Sequence, residues 1–265
     1  MKHLPRKRFG QNFLVSPDVV AKIIAAIAPR DTDLLVEIGP GLGALTAPLL
    51  DRLDHLHVVE IDRELVALLR ERFAPERLTV HQGDALKFNF AGLAASSVTG
   101  PSEQPNLRVV GNLPYNISTP LLFHLAAHAE YVRDMHLMLQ KEVVDRMVSL
   151  PGGPEYGRLS VMLQYRFEME RLFLVPPGAF EPVPKVASAV VRMVPRAASA
   201  LTARDSAVFA RVVRAGFGQR RKMLRNTLCE MIDETALAAL GIQPTARAEE
   251  LAVAEFVRIA NALVS

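Results

Sequence analysis

The stretch Asp33-Leu-Leu-Val-Glu-Ile-Gly39-Pro-Gly41-Leu-Gly43 constrains this 265-residue chain more than any other. Short apolar residues run straight into three glycines at alternate positions, and an apolar run over residues 44–53 follows. That order reads as a buried strand, a tight turn and a helix. The pattern then repeats. Residues 56–61, 78–82, 107–110 and 135–140 read as further strands, with helical segments reaching Phe73 and covering 119–129 and 141–148. Upstream, Ser16-Pro17-Asp18 is a helix start ahead of the apolar run 19–27. Strands alternating with helices imply parallel pairing, so the spacing predicts an α/β fold with a mostly parallel, doubly wound sheet.

The rhythm changes further along. Residues 92–106 (GLAASSVTGPSEQPN) read as a surface loop, and Leu150-Pro-Gly-Gly-Pro154 as a second break. Residues 167–174 and 186–194 read as an antiparallel pair of strands closing the sheet. After Pro195 only helical segments follow, near 203–216, 219–230, 233–240 and 247–263. The expected division is a catalytic α/β domain over 1–198 and a small C-terminal all-helical domain over 199–265.

Composition removes several classes of protein. Half the residues are hydrophobic and 22% are charged, which argues against disorder. A single cysteine, Cys229, permits no disulfide framework or multi-thiolate metal site; it reads as an inert residue in an apolar helix. The basic N-terminus has no apolar run after it, unlike a secretory signal. The longest uncharged run, 109–129, carries two prolines, two asparagines and two histidines, so no membrane span is expected. His124 and His128 lack the glutamate of a zinc-protease helix. The expected location is cytoplasmic.

The net charge of +3 conceals a strong segregation. Residues 1–17 hold Lys2, Arg6, Lys7 and Arg8 with no acid; residues 206–229 hold Arg211, Arg214, Arg220, Arg221, Lys222 and Arg225 with no acid. The remainder is therefore net −7. Basic runs can be merely solvated faces, but two on an acidic body point to a polyanion docked at defined places.

Four elements at the strand ends carry the chemistry. The glycine spacing G-x-G-x-G differs from the dinucleotide G-x-G-x-x-G, and Glu37 precedes it, which suits a ligand with a positive end better than a pyrophosphate. Glu60 ends the second strand, where an acid can accept from both hydroxyls of a ribose. Asp84 follows the third and can accept an exocyclic amine. Asn112-Leu113-Pro114-Tyr115 follows the fourth. Ligands of open α/β sheets bind at these carboxyl ends.

These motifs in this order resemble the class I S-adenosylmethionine-dependent methyltransferases, and Asn-Leu-Pro-Tyr resembles the enzymes that methylate exocyclic amines of bases. More closely, the chain resembles the bacterial small-subunit (16S) ribosomal RNA adenine dimethyltransferases, whose loss gives kasugamycin resistance. Arg8-Phe-Gly-Gln11-Asn12-Phe13-Leu14, Phe180-Glu-Pro-Val-Pro-Lys185-Val-Ala-Ser-Ala-Val and Gln219-Arg-Arg-Lys-Met-Leu-Arg-Asn226 carry that match. Ala187 and Met223 depart from it, lying where polar residues are frequent in the family.

The resemblance implies a Rossmann-like catalytic domain, S-adenosylmethionine as cofactor and no metal. The implied substrate is two adjacent adenines in a hairpin loop near the 3′ end of 16S ribosomal RNA, within a 30S particle, modified by a monomer. It implies that Asn12, Leu14, Gly39, Gly41, Glu60, Asp84 and Asn112 contact the cofactor. Asn112 and the Leu113 carbonyl would orient the amine, with Pro114 shaping the turn and Tyr115 and Phe180 stacking on the flipped base from exposed loops. Arg6, Lys7, Arg8, Arg220, Arg221 and Lys222 would bind RNA. Alternatives are a large-subunit (23S) ribosomal RNA adenine methyltransferase, disfavoured by the Gln-Arg-Arg-Lys stretch and helical tail, and a ribosome-assembly factor with a secondary catalytic role.

Overall fold

The computed structural model describes residues 11–96, 106–219 and 221–264. The chain opens with the short strand β1 (Phe13–Leu14) and helix α1 (Pro17–Ile27). There follow β2 (Leu35–Ile38), α2 (Thr46–Leu50), β3 (Leu56–Glu60), α3 (Arg63–Arg72), β4 (Leu78–Gln82), α4 (Phe90–Ser96), β5 (Leu107–Asn112) and α5 (Ser118–Ala127). Then come β6 (Val132–Gln140), α6 (Lys141–Val148), α7 (Arg158–Arg166), β7 (Phe167–Val175), β8 (Phe180–Glu181) and β9 (Ser188–Pro195). The helices α8 (Ser206–Gly216), α9 (Leu224–Thr227), α10 (Glu234–Ala239) and α11 (Val253–Ala262) complete it.

Seven strands form one sheet in the order β4-β3-β2-β5-β6-β9-β7. The pairs β3–β4, β2–β3, β2–β5 and β5–β6 are parallel, and β9 joins β6 antiparallel. The chain moves outward from β2 to β4, then returns to lay β5 on the other side of β2. That reversal opens a crevice at the carboxyl ends of β2 and β5, where α/β sheets hold their ligands. The mostly parallel doubly wound sheet is as the strand–helix alternation predicts. Gly111 is required by this packing: a Cβ there would sit 2.5 Å from the Ile38 carbonyl oxygen on the neighbouring strand.

Local chemistry explains the helix ends. The Ser16 hydroxyl accepts from the Val19 N–H, Pro17 opens α1, and Val19, Ile23, Ile24 and Ile27 bury one face. Asp62 caps α3 in the same way by accepting from the Glu64 N–H at 3.1 Å.

Three elements differ from the sequence reading. Of the loop expected over 92–106, residues 92–96 instead complete α4, and 97–105 lie outside the described residues: the Asn89 side chain accepts from the Gly92 N–H, and Phe90, Leu93 and Ala94 are buried at helical spacing. The helix α7 fills residues 158–166, a stretch to which the sequence reading assigns no element. The helix expected over 219–230 shrinks to α9, because Met223 bridges to Arg247 while the Leu224 and Arg225 N–H groups donate to Ala246 and Pro244. Cys229 is therefore exposed and outside any helix, its thiol directed at the Asn226 carbonyl.

The described residues divide into two compact units, those within 11–144 and 170–195 and those within 145–169 and 196–264. The helical unit thus takes in residues 145–169 beyond the stretch 199–265. The reason is burial: Tyr156, Val161 and Tyr165 share one core with Phe209, Val212, Leu224, Leu237 and Phe256. Tyr156 also donates to the Leu251 carbonyl at 3.0 Å. Among the described residues no helix is long and apolar enough to cross a membrane.

Candidate active site

At the carboxyl ends of β2, β3, β4 and β5 lies a cleft of about 270 Å³. Gly39, Gly41 and Gly43 line or flank it, each with positive φ (67°, 57° and 82°) that disfavours any residue with a Cβ. The glycine spacing is thus a backbone requirement. It lets the loop turn back while its floor stays open to a ligand. Gly41 has a second constraint, since its Cβ would stand 3.0 Å from the Phe13 ring of the N-terminal arm.

Two acids are buried side by side in this cleft. Glu37 is 2% exposed and Glu60 5%. Glu37 Oε2 accepts from the Thr46 hydroxyl at 2.6 Å. Burial pushes its pKa up to about 7; the Thr46 bond opposes the rise and the nearby Glu60 charge adds to it. Burial also raises Glu60, against the opposing donors of the loop: Oε1 accepts from the Asp62 N–H at 2.8 Å and Oε2 from the Gly41 N–H at 3.4 Å. Paired buried carboxylates of this kind favour a ligand that brings positive charge and hydroxyl donors. Asp84 lies at the far side, capping a short turn through its bond to the Leu86 N–H.

Asn112 ends β5 and lines the same cleft. Its side-chain nitrogen donates to the Asn12 carbonyl at 3.0 Å. A carbonyl only accepts, so this contact assigns the amide and leaves Oδ1 as the remaining acceptor. Leu113 is held by donation of its N–H to the Met138 carbonyl at 3.0 Å. The turn is closed by the Pro114 carbonyl, which accepts from the Ile117 N–H at 3.2 Å and the Ser118 hydroxyl at 3.0 Å. The Tyr115 phenol meets the Ser188 hydroxyl at 2.7 Å, and burial raises its pKa.

The structure therefore brings Asn12, Leu14, Gly39, Gly41, Glu60, Asp84, Asn112, Leu113, Pro114 and Tyr115 to one cleft. Phe180 requires a correction. It is no exposed loop residue: it begins β8, pairs with Leu14 of β1, is 2% exposed and belongs to the hydrophobic core of its unit. Its ring packs in the same core as Leu14 of the arm, so the exposed loop expected for it is not found. Of the basic candidates, Arg221 and Lys222 are exposed in the helical unit; Arg6, Lys7, Arg8 and Arg220 lie outside the described residues. His124 and His128 donate to the carbonyls of Phe88 and His124, away from the cleft.

Sequence reasoning missed several contributors. Gln11 lines the cleft and donates to the Asp62 carboxylate at 3.3 Å, and the Phe13 ring lies against Gly41. Ile61, 46% exposed, presents an apolar surface beside Glu60. The Asp62 cap was visible as an acid just ahead of a helix; the others depend on chain folding that no local spacing records.

Parallel sheet, switch-point crevice, glycine turn and strand-end acids together define a class I methyltransferase. The family model described as Ribosomal RNA adenine dimethylase matches residues 2–265, and the chain belongs to that family. It is 64% identical over 260 residues to Ribosomal RNA small subunit methyltransferase A of Aromatoleum aromaticum, covering 98% of this chain and 94% of that protein. It is 55% identical over 265 residues to the protein of the same name in Methylobacillus flagellatus, with both chains fully covered. Among solved structures, a dimethyladenosine transferase from Plasmodium falciparum superposes with a TM-score of 0.78 at 25% identity, covering 93% of this chain and 95% of that one. The 23S rRNA methyltransferase ErmE gives 0.68 at 26% identity, covering 96% and 100%.

Proposed function

We propose that this enzyme transfers methyl groups from S-adenosylmethionine to the N6 amines of two adjacent adenines in a hairpin loop near the 3′ end of 16S ribosomal RNA, within a 30S particle. The observation that carries this reading is the Asn112 amide, fixed by Asn12 so that Oδ1 is the acceptor at the rim of the cleft. Full-length relatives named for the small-subunit RNA support the choice of substrate over 23S RNA.

When bound, S-adenosylmethionine supplies an electrophilic methyl group. The protein's part is to bind, orient and exclude water. Gly39 and Gly41 give backbone access to the methionine portion, Glu60 accepts from the ribose hydroxyls and Asp84 from the adenine amine. Asn12 and Leu14 close over the cofactor from the arm. The target adenine is a poor nucleophile because its amine lone pair is delocalised into the ring. Asn112 Oδ1 and the Leu113 carbonyl would accept hydrogen bonds from the N6 hydrogens, two in the first transfer and the one remaining in the second, turning the lone pair toward the methyl and favouring a pyramidal nitrogen. Positioning of this kind supplies roughly 7–11 kcal/mol of barrier reduction. The methylated amine then loses its proton to water, so no strong base is required. Tyr115 stacks on the flipped base, a contact worth about 1–3 kcal/mol.

The first unit is the catalytic one and the helical unit the RNA-binding one, acting as a cytoplasmic monomer. The test is mass analysis of ribosomal RNA nucleosides after incubation with 30S particles lacking the mark. Dimethyladenosine is the expected product; unmodified adenosine, or methylation of 23S RNA instead, overturns the reading.

A further inference from the structure

We infer that Ser188 is a positioning residue for methyl transfer: its buried hydroxyl holds the Tyr115 phenol and thereby fixes the ring that walls the target-base side of the cleft. The inference rests on the reading that this cleft methylates an adenine amine. Of the two aromatic residues that the motifs single out, Tyr115 lines the cleft while Phe180 is core. The orientation of the Tyr115 ring is therefore the one to be controlled.

A hydrogen bond at the far end of a tyrosine ring fixes the rotation about Cα–Cβ and so where the ring sits; rotation about Cβ–Cγ, whose axis passes through the phenolic oxygen, is limited by packing. Ser188 is suited to supply it. The residue is fully buried and opens β9, directly opposite Gln140 of β6. The preceding carbonyl, of Ala187, accepts from the Lys141 N–H at 2.9 Å. The serine backbone is thus held on both sides, and its hydroxyl meets the phenol at 2.7 Å. At the other end Tyr115 is held by the closed turn over residues 114–118. The phenol is half-buried and burial raises its pKa, so the ring is neutral when a base stacks on it.

The test is a double-mutant cycle on the whole protein: wild type, Ser188→Ala, Tyr115→Phe and the double variant. Methylation of unmarked 30S particles, cofactor affinity by calorimetry and thermal midpoint are measured for each. Each single variant should lower kcat about two- to twelvefold, as expected for one hydrogen bond of about 0.5–1.5 kcal/mol, with cofactor affinity unchanged. The double variant should be no slower than either single, because both remove the same bond. Multiplicative losses would show that Ser188 acts on packing and overturn the proposal. A wild-type rate for Tyr115→Phe overturns it also, even if Ser188→Ala fails to fold. A wild-type enzyme that leaves the adenines unmodified sinks the functional reading itself, whereas a normal wild-type rate with multiplicative variants removes only the role of Ser188.

Discussion

Asn112→Ala should keep most cofactor affinity and lose most turnover, since the acceptor that orients the amine is gone while the glycine loop, Glu60 and Asp84 remain. Calorimetry against single-turnover methylation separates the two effects, and a wild-type rate would remove Asn112 from the mechanism. Glu60→Ala should do the reverse and weaken cofactor binding at least tenfold, because hydrogen bonds to a charged acceptor are worth about 1.5–3 kcal/mol each. Glu37 predicts a pH dependence. Its folded-state pKa of about 7 lies above its ordinary 4.5. The folded protein therefore holds the proton more tightly, and the associated stability is complete below about 4.5 and lost as pH rises through about 7. His57 works in the opposite sense: burial and its histidine neighbours lower it to about 4, so its contribution is present above 6.5 and lost as pH falls through 4. Both proteins in a comparison of wild type with Glu37→Gln retain His57, so their difference isolates Glu37. Thermal midpoints should show the wild type losing on the order of 3 kcal/mol relative to the variant between pH 4.5 and 7. Parallel curves would place the charge elsewhere. At this scale Glu60 and Asn112 were legible because each ends a strand, and Glu37 because it stands just ahead of the glycine turn. Their electrostatic states were not, because burial and the Asn12 contact come from distant segments.

Among the elements, the β1–β8 pair decides how the arm sits. Phe180→Ala removes a large ring from a closed core, which costs roughly 3–5 kcal/mol. Thermal unfolding should shift accordingly, and cofactor binding should weaken with it because Leu14 of the arm loses the ring from the core it shares with Phe180. A normal midpoint with slowed base stacking would instead return Phe180 to the substrate. Gly111→Ala should also be strongly destabilising, since the new Cβ meets the Ile38 backbone at 2.5 Å and neither strand can yield. The parallel strands were legible from short apolar runs with turn residues behind them. Where the local pattern was ambiguous, the sequence misled. The sequence reading assigns residues 158–166 no element at all, yet they fold as helix, because Val161 and Tyr165 have a helical core to enter. Residues 221–223 follow a helical pattern yet stay irregular, because neighbouring backbone groups are drawn to Pro244, Ala246 and Arg247. Phe180 sits between turn-forming residues, and only the strand pairing reveals that it is core.

For the whole molecule the governing feature is segregated charge: two acid-free basic runs on a chain whose remainder is net −7. Arg211, Arg214, Arg221 and Lys222 are exposed in the helical unit, and none of them lines the cleft. Arg225 faces Glu234 of the same unit at 3.8 Å with both side chains substantially exposed, a pair worth little in water. These cations are therefore available to phosphates. Each phosphate contact releases counterions, so binding to the ribosomal particle should fall steeply with salt. Replacing Arg220, Arg221 and Lys222 together by Ala should weaken particle binding. It should also make the slope of log K against log salt shallower by about 2, at roughly 0.7–0.9 per contact. Cofactor affinity should stay at the wild-type value. Methylation should fall through the concentration of particle needed, and recover when particle is raised. The same experiment on Arg6, Lys7 and Arg8 asks whether the N-terminal run contributes separately; independent contacts would add their slopes. If the helical-unit variant instead lost thermal stability while its salt slope stayed unchanged, these cations would be holding acids of the protein, and the docking role would pass to other residues.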